Sequence, residues 1–353
     1  MHKIRSRIFI FIFIAALLLL GYHFLNLSQS FKKTSLGLTD KVQSAHNNKL
    51  LNSKKPFSIL LLGTDTGDLN RTDKGRTDSM MLVTVNEQKR RTTLVSIPRD
   101  TMVAIPGLEN TFPQKINSVY TFTNLKQTVS DVSHYLNVPI NFVALVNMGG
   151  LIKMVDQVGG VQVKSPLNFS YNPYTAHDTG NDIYRFIKGS STYYHSTDGT
   201  DWTEYQRMDG QAALAFTRMR YDDPLGDYGR TQRQRLVIQA LLNKAKNPAV
   251  FLTSSFVNSL ASNVKTNLVL NDFLLIAKNY ANAKKHVQSY SIQGTSDWED
   301  GVSFQVVSKT SQQVGTDKIR RALNIKPAVT GPALMGNSDS LIIPSNVAAI
   351  LQR

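Results

Sequence analysis

Four arginines carry the strongest chemical signal in this chain. Arg218 and Arg220 stand two apart, and Arg230 and Arg233 stand three apart, with Gln234 next in line. Residues two apart share one face of an extended segment, and residues three apart share one face of a helix. Val237, Ala240 and Leu241 continue that helix as an apolar stripe. The spacing therefore gathers four guanidinium groups near a helix N-terminus, which itself favours an anion. Arginine suits phosphate because its planar fork donates two parallel hydrogen bonds and stays charged. Asp222, Asp223 and Asp227 in the connecting loop could orient the four. The competing reading is a solvated basic helix face with ordinary ion pairs.

Two further segments offer partners for such a site. Leu62-Gly63-Thr64-Asp65 ends an apolar run, and Arg76-Thr77-Asp78-Ser79 precedes another. Asp65 falls where a strand ends, the usual ligand edge of an α/β sheet. Two carboxylates beside phosphate oxygens suit Mg²⁺, which takes few protein ligands and keeps waters. Turn chemistry alone explains Asp and Gly there equally well. In Ser96-Ile97-Pro98-Arg99-Asp100-Thr101, Arg99 follows a strand and a proline and supplies one more arginine to the same edge, although a lone Arg-Asp pair is commonly structural. The seven histidines show no metal-ligand spacing; His134, His177 and His195 read as surface or loop residues.

The elements that must position these groups alternate in type. Ser58–Gly63, Met80–Asn86, Thr92–Ile97, Asn141–Val146, Val161–Val163 and Val287–Ile292 read as strands. Thr123–Asn137, Gly150–Val158, Asp209–Phe216, Tyr228–Lys246, Pro248–Ala261 and Asp272–Ala283 read as helices. Alternation of this kind predicts an α/β fold, a central sheet layered between helices as an α/β/α sandwich. One globular domain is expected over 57–325, closed by Ile319–Ile325, with a tail of undetermined order over 326–353. The segment Leu167–Arg207 differs, with nine aromatics among small polar residues and little periodicity. It is too long for an ordinary connection, so it is a functional loop beside the site or a passive insertion.

Composition and the N-terminus set the setting. Lys and Arg total 40 against 25 Asp and Glu, a net charge of +15, and this points to a polyanionic partner. Cysteine is absent, which excludes disulfides, thiolate metal sites and a Cys nucleophile. His2, Lys3, Arg5 and Arg7 precede an apolar stretch from Ile8 to Leu27, and the first acid is Asp40. That order predicts a cytoplasmic tail at 1–7, a single-pass transmembrane helix at 8–27, a stalk at 28–56 and everything after it outside the cell. A cleaved signal peptide is the alternative, but no small-x-small site follows the run.

Taken together, Leu62-Gly-Thr-Asp65, Arg76-Thr-Asp78-Ser-Met80, Ser96-Ile-Pro-Arg99-Asp100, Val155-Asp-Gln-Val-Gly-Gly160-Val161 and Arg218-x-Arg220…Asp227-x-x-Arg230-x-x-Arg233-Gln234 resemble the LytR–CpsA–Psr family of Gram-positive cell-wall enzymes. The segment Met208–Arg218 resembles that family's approach to its arginine motif. The likeness runs from about Phe57 to Lys246 and leaves Leu167–Arg207 unmatched. It implies an extracellular phosphotransferase of the cell membrane, dependent on Mg²⁺ (or Mn²⁺). Such an enzyme moves a polyprenyl-pyrophosphate-linked anionic glycopolymer, wall teichoic acid or capsule, onto peptidoglycan and releases polyprenyl phosphate. By the same resemblance Arg76, Arg99, Arg218, Arg220, Arg230, Arg233 and Gln234 would hold the pyrophosphate. Asp65 and Asp78 would hold the metal, and the lipid would lie in an apolar channel between sheet and helices. Arg99 would act in catalysis, with Asp100 or Asp65 accepting the hydroxyl proton. A polyprenyl-pyrophosphate hydrolase using the same site and a non-enzymatic wall-binding module are the alternatives. A nucleic-acid partner is not expected, because the topology faces outward and no DNA-binding motif stands out.

Overall fold

The computed structural model describes residues 41–64, 74–244, 263–339 and 341–353. The expected transmembrane span, residues 28–40 of the expected stalk, Asp65 and the expected helix at Pro248–Ala261 lie outside the described residues. Among those described, no helix is long and apolar enough to cross a membrane.

A six-stranded mixed sheet forms the centre. In chain order its strands are β1 (Phe57–Thr64), β2 (Thr77–Asn86), β3 (Arg91–Ser96), β6 (Phe142–Asn147), β11 (Val264–Thr266) and β12 (His286–Ser291), in the spatial order β11-β6-β1-β2-β3-β12. β4 (Met102–Val103) and β5 (Gln114–Lys115) form a small separate ribbon. β1 and β2 are antiparallel, as are β2 and β3, while β6 runs parallel to β1 and β12 parallel to β3. Four strands thus point the same way, and their carboxyl ends share one edge of the sheet.

Helices cover both faces: α1 (Lys41–Asn52), α2 (Val119–Phe122), α3 (Leu125–Leu136), α4 (Met148–Gln157), α5 (Gly210–Arg218), α6 (Asp227–Lys244), α7 (Leu270–Asn279), α8 (Lys309–Ala322) and α9 (Ser345–Leu351). Strand alternation sorts β1 between two cores. Leu60 and Leu62 pack with Leu82, Val95, Val132, Tyr135 and Ile319 into a dense cluster under α3 and α8. Ile59 and Leu61 face the other way, where Met81, Val83 and Leu94 meet Ile238 of α6; there Ile59, Leu61, Val85, Ile238 and Val287 remain only partly buried. Polar caps fix where helices begin: Asn124 Oδ1 accepts from Gln127 N at 2.9 Å, Asn147 Oδ1 from Gly150 N at 3.0 Å, and Asp209 Oδ1 from Ala212 N at 2.8 Å.

Several expectations change. The aromatic segment is regular: β7 (Phe169–Tyr171), β8 (Ile183–Phe186), β9 (Tyr193–Ser196) and β10 (Thr203–Tyr205) make a four-stranded antiparallel sheet. Its rings do not scatter, because the period of two puts Phe169, Phe186 and Tyr193 on one face, stacked at 4.7 and 5.7 Å and closed by Phe216 of α5. Val161–Val163 is not a strand; it contributes one bridge, Val161 to Met208. Ile319–Ile325 does not end the fold. A hairpin, β13 (Thr295–Glu299) with β14 (Val302–Val306), precedes α8, and residues after 326 pack back onto the body. Ala104 N donates to Leu334 O at 2.8 Å, and Val347 joins Met102, Phe304 and Val306 in a separate apolar cluster.

Candidate active site

The arginine motif converges on the carboxyl-end edge of the sheet. Asp78 is the second residue of β2, Arg99 follows β3, and Asp227 and Arg230 lie in the first turn of α6. Arg99 Nη1 donates to Asp78 Oδ1 at 2.6 Å, and its Nε lies 3.3 Å from Asp227 Oδ1 and 3.5 Å from Asp100 Oδ2. Arg230 Nη2 lies 2.5 Å from Asp227 Oδ1 and donates to the Asp78 carbonyl at 3.2 Å. Two cations and three carboxylates therefore form one continuous network.

Residues without a recognisable motif complete it. Lys115 Nζ lies 2.9 Å from Asp100 Oδ1, and Asn117 Nδ2 donates to Asp78 Oδ1 at 3.3 Å. Both come from an aperiodic stretch between β3 and α3, so no pattern marked them. Tyr228 accepts from Gly294 N at 2.7 Å and donates to Gln305 Oε1 at 3.0 Å, while Gln305 N donates to the Asp100 carbonyl at 2.8 Å. The β13–β14 hairpin thereby braces Asp100 from behind. Gln234 Oε1 accepts from Ser79 at 2.9 Å, and Arg235 donates to Ser96 at 3.0 Å, pinning α6 across β2 and β3.

Charge balance follows from this packing. Burial acts to lower the Arg99 pKa, but Asp227, Asp78 and Asp100 outweigh it and hold the guanidinium above its ordinary value. Burial pushes the Asp100 carboxyl up, yet Arg99 and Lys115 prevail and keep it below the usual carboxylate range. Arg230 is shifted downward by burial, against the pull of Asp227; arginine remains charged all the same.

The remaining expected residues divide. Arg220 is half-buried in the turn after α5, close enough for its charge to act on Asp100 and Arg230. Arg218 is half-buried and ends α5, so it is helical rather than extended. Arg76 is exposed one residue before β2. Arg233 corrects the four-arginine picture. Its side chain is 0% exposed; Nε donates to Phe216 O at 2.8 Å, Nη1 pairs with Asp223, and Nη2 bonds Met219 O. All three nitrogens serve the α5–α6 turn, so Arg233 shapes the loop that carries Arg218 and Arg220 instead of reaching the cleft. The Val155–Val161 motif is also a brace: Asp156 Oδ1 accepts from Gly210 N at 2.7 Å and fixes the start of α5. Gly160, at φ +79°, lets the chain pass where a Cβ would come 2.7 Å from Met208 O.

For a metal, Asp78 has a suitable carboxylate. Its Oδ1 takes Arg99 and Asn117, and its side chain is 27% exposed, so the group keeps an edge to solvent. Asp65, the other expected metal ligand, lies outside the described residues. Among the described residues, no group of three or more His, Cys, Asp or Glu gathers to hold a metal. A cation held here would rest on Asp78 and draw its other ligands from water or a phosphate, as Mg²⁺ can. A cavity of about 420 Å³ lies elsewhere, between Asp131 and His134 of α3 and the segment around Met335.

Known proteins resemble this chain along most of its length. The LytR_cpsA_psr family matches residues 21–321. An Enterococcus faecalis protein named polyisoprenyl-teichoic acid–peptidoglycan teichoic acid transferase TagU is 36% identical over 302 residues, 85% of this chain and 90% of its own. The crystal structure of B. subtilis TagU aligns with a TM-score of 0.56 at 31% identity, over 78% of this chain and 100% of that one. A structure of TagT bound to LIIa-WTA aligns at 0.59 and 25% identity, over 77% and 92%. With Asp78, Arg99, Asp227 and Arg230 joined at one sheet edge and this match along most of its length, the chain belongs to the LytR–CpsA–Psr family.

Proposed function

We propose that this chain transfers a polyprenyl-pyrophosphate-linked teichoic acid, or a similar anionic glycopolymer, onto peptidoglycan. The observation that carries the reading is the Arg99–Asp78–Asp227–Arg230 network at the carboxyl-end edge, with Arg220 close enough for its charge to act on Asp100 and Arg230. Phosphoryl transfer asks mainly for positioning and charge neutralisation, which such a set of fixed cations supplies. Arg218, Arg220 and Arg76 grip the pyrophosphate oxygens. Arg99 and Arg230, tied down by their carboxylates, present positive charge that does not need to reorganise as the reaction proceeds.

An acceptor sugar hydroxyl attacks the phosphorus nearest the polymer. A new P–O bond forms, and the bond to the bridging oxygen breaks. The electron pair leaves with polyprenyl phosphate, and the hydroxyl proton passes to a base. As a proton acceptor Asp100 is weakened, since Arg99 and Lys115 stabilise its charged form. A divalent cation, Mg²⁺ or Mn²⁺, held by Asp78 with Asp65 would neutralise charge on the pyrophosphate oxygens. The partly buried apolar face at Leu61, Val85 and Ile238 suits the lipid. Residues 8–27 anchor the protein in the cell membrane with the sheet outside, in reach of peptidoglycan.

The test is the lipid that the purified full-length protein retains. Mass spectrometry of its organic extract should find a polyprenyl chain bearing pyrophosphate. Retention of phosphate-free lipids alone would contradict the reading.

A further inference from the structure

The turn after Arg220 puts an aromatic ring beside the arginine cluster. Tyr221 is 63% exposed, and the Arg220 guanidinium carbon lies 5.3 Å from its ring centre. The His177 ring stacks on Tyr221 with centres 5.1 Å apart and planes 27° from parallel. The pyrophosphate account uses neither ring. His177 comes from the β7–β8 connection, which is firmly built. Asn172, itself buried, donates from its backbone N to His177 O at 2.6 Å and from Nδ2 to Thr179 O at 2.9 Å. Its Oδ1 accepts from Tyr174 N at 2.8 Å, and Ala176 packs against the apolar cluster under the four-stranded sheet. The imidazole is therefore in place before any ligand arrives. One residue from a phosphate-gripping arginine, two elements distant in sequence have built an open two-ring surface.

Flat, exposed rings beside a charged clamp fit a pyranose. A sugar ring shows C–H bonds on one face, which an aromatic face receives, and hydroxyls at its rim, which imidazole and phenol can bond. A sugar esterified to the gripped phosphate cannot stray far from Arg220. We propose that Tyr221 and His177 form a saccharide subsite, stacking against the first sugar of the donor. The proposal rests on the pyrophosphate-clamp reading and gives the aromatic insertion a task in choosing the polymer.

The experiment compares two probes on full-length protein in detergent: farnesyl pyrophosphate, and farnesyl pyrophosphate esterified to N-acetylglucosamine. Tyr221→Ala should weaken the sugar-bearing probe about tenfold, near the upper end of what a stacked ring supplies. His177→Ala should weaken it less, Tyr221→Phe should keep most of the affinity, and the sugar-free probe should bind all variants equally. Unchanged affinity of Tyr221→Ala for the sugar-bearing probe would overturn the subsite. An equal loss on both probes would overturn it too, by making the ring a prop for Arg220. Failure of the unaltered protein to bind farnesyl pyrophosphate would instead sink the clamp reading, while the sugar-bearing probe still decides the subsite.

Discussion

Arg99 Nη1 stands 2.6 Å from Asp78 Oδ1, and the same guanidinium reaches Asp227 and Asp100 with its Nε. Arg99 thus joins the start of β2, the end of β3 and the start of α6. With only 13% of its side chain exposed, it acts as structure and as fixed charge together. Arg99→Ala should cost about 3–5 kcal/mol of stability, since three carboxylates lose their shared cation. Arg99→Lys should keep the charge and lose the fork, giving a folded protein with little transfer activity. Urea unfolding and a transfer assay on the two variants separate these effects; a fully active Arg99→Lys would count against the fork.

Arg218 and Arg233 should part company, although the sequence places both in one four-arginine cluster. Arg218→Ala is expected to weaken lipid-pyrophosphate binding by roughly ten- to a hundredfold, the loss of one charged donor, with little change in Tm. Arg233→Ala removes the buried partner of Asp223 and is expected to cost on the order of 3–5 kcal/mol. Calorimetric titration and thermal unfolding of both variants check the split. Equal unfolding temperatures would remove the structural assignment of Arg233.

Gly229→Ala should destabilise, against the usual trend. In a helix interior Ala is normally better than Gly by roughly 1 kcal/mol. Here an added Cβ would collide with the Asp223 carboxylate that pairs with Arg233. A loss of about 1–3 kcal/mol in chemical unfolding is expected, with the α5–α6 turn displaced. A stabilised variant would show that the turn can give way freely.

Asp131 on α3 supplies a pH prediction. Burial pushes its carboxyl above the ordinary value, although Gln127 Nε2 donates to Oδ1 at 2.6 Å. A carboxyl whose folded pKa is raised costs stability while ionised, and that cost disappears as pH falls through the folded and then the unfolded value. Asp131→Asn should therefore be more stable than the native chain at pH 7. The difference should shrink to nothing below about pH 4, near the unfolded Asp value. A pH-independent difference between the two unfolding curves would contradict it.

The sheet and the site edge were legible because their signals are local. Leu60, Leu62, Leu82 and Val95 sit in apolar runs of strand length, and each run begins or ends on a charged motif. Arg99, Arg230, Asp78 and Asp227 meet because those runs pair in the expected sheet. Arg233 misled because three-residue spacing sets a helical face but not whether that face points to solvent or into a turn. Leu167–Arg207 hid its strands in three- and four-residue pieces, too short for alternation to show. Lys115 and Asn117 reach the carboxylates only through the fold, so no spacing could have named them.

The most direct measurement is transfer itself. Purified full-length protein is incubated with a labelled polyprenyl-pyrophosphate-linked teichoic acid, peptidoglycan and Mg²⁺, and both products are quantified. The account predicts label covalently bound to peptidoglycan with one polyprenyl monophosphate released per chain transferred, and neither product from Arg218→Ala or Asp78→Ala. Polyprenyl monophosphate accompanied by free polymer, with peptidoglycan unlabelled, would make the protein a hydrolase and contradict it.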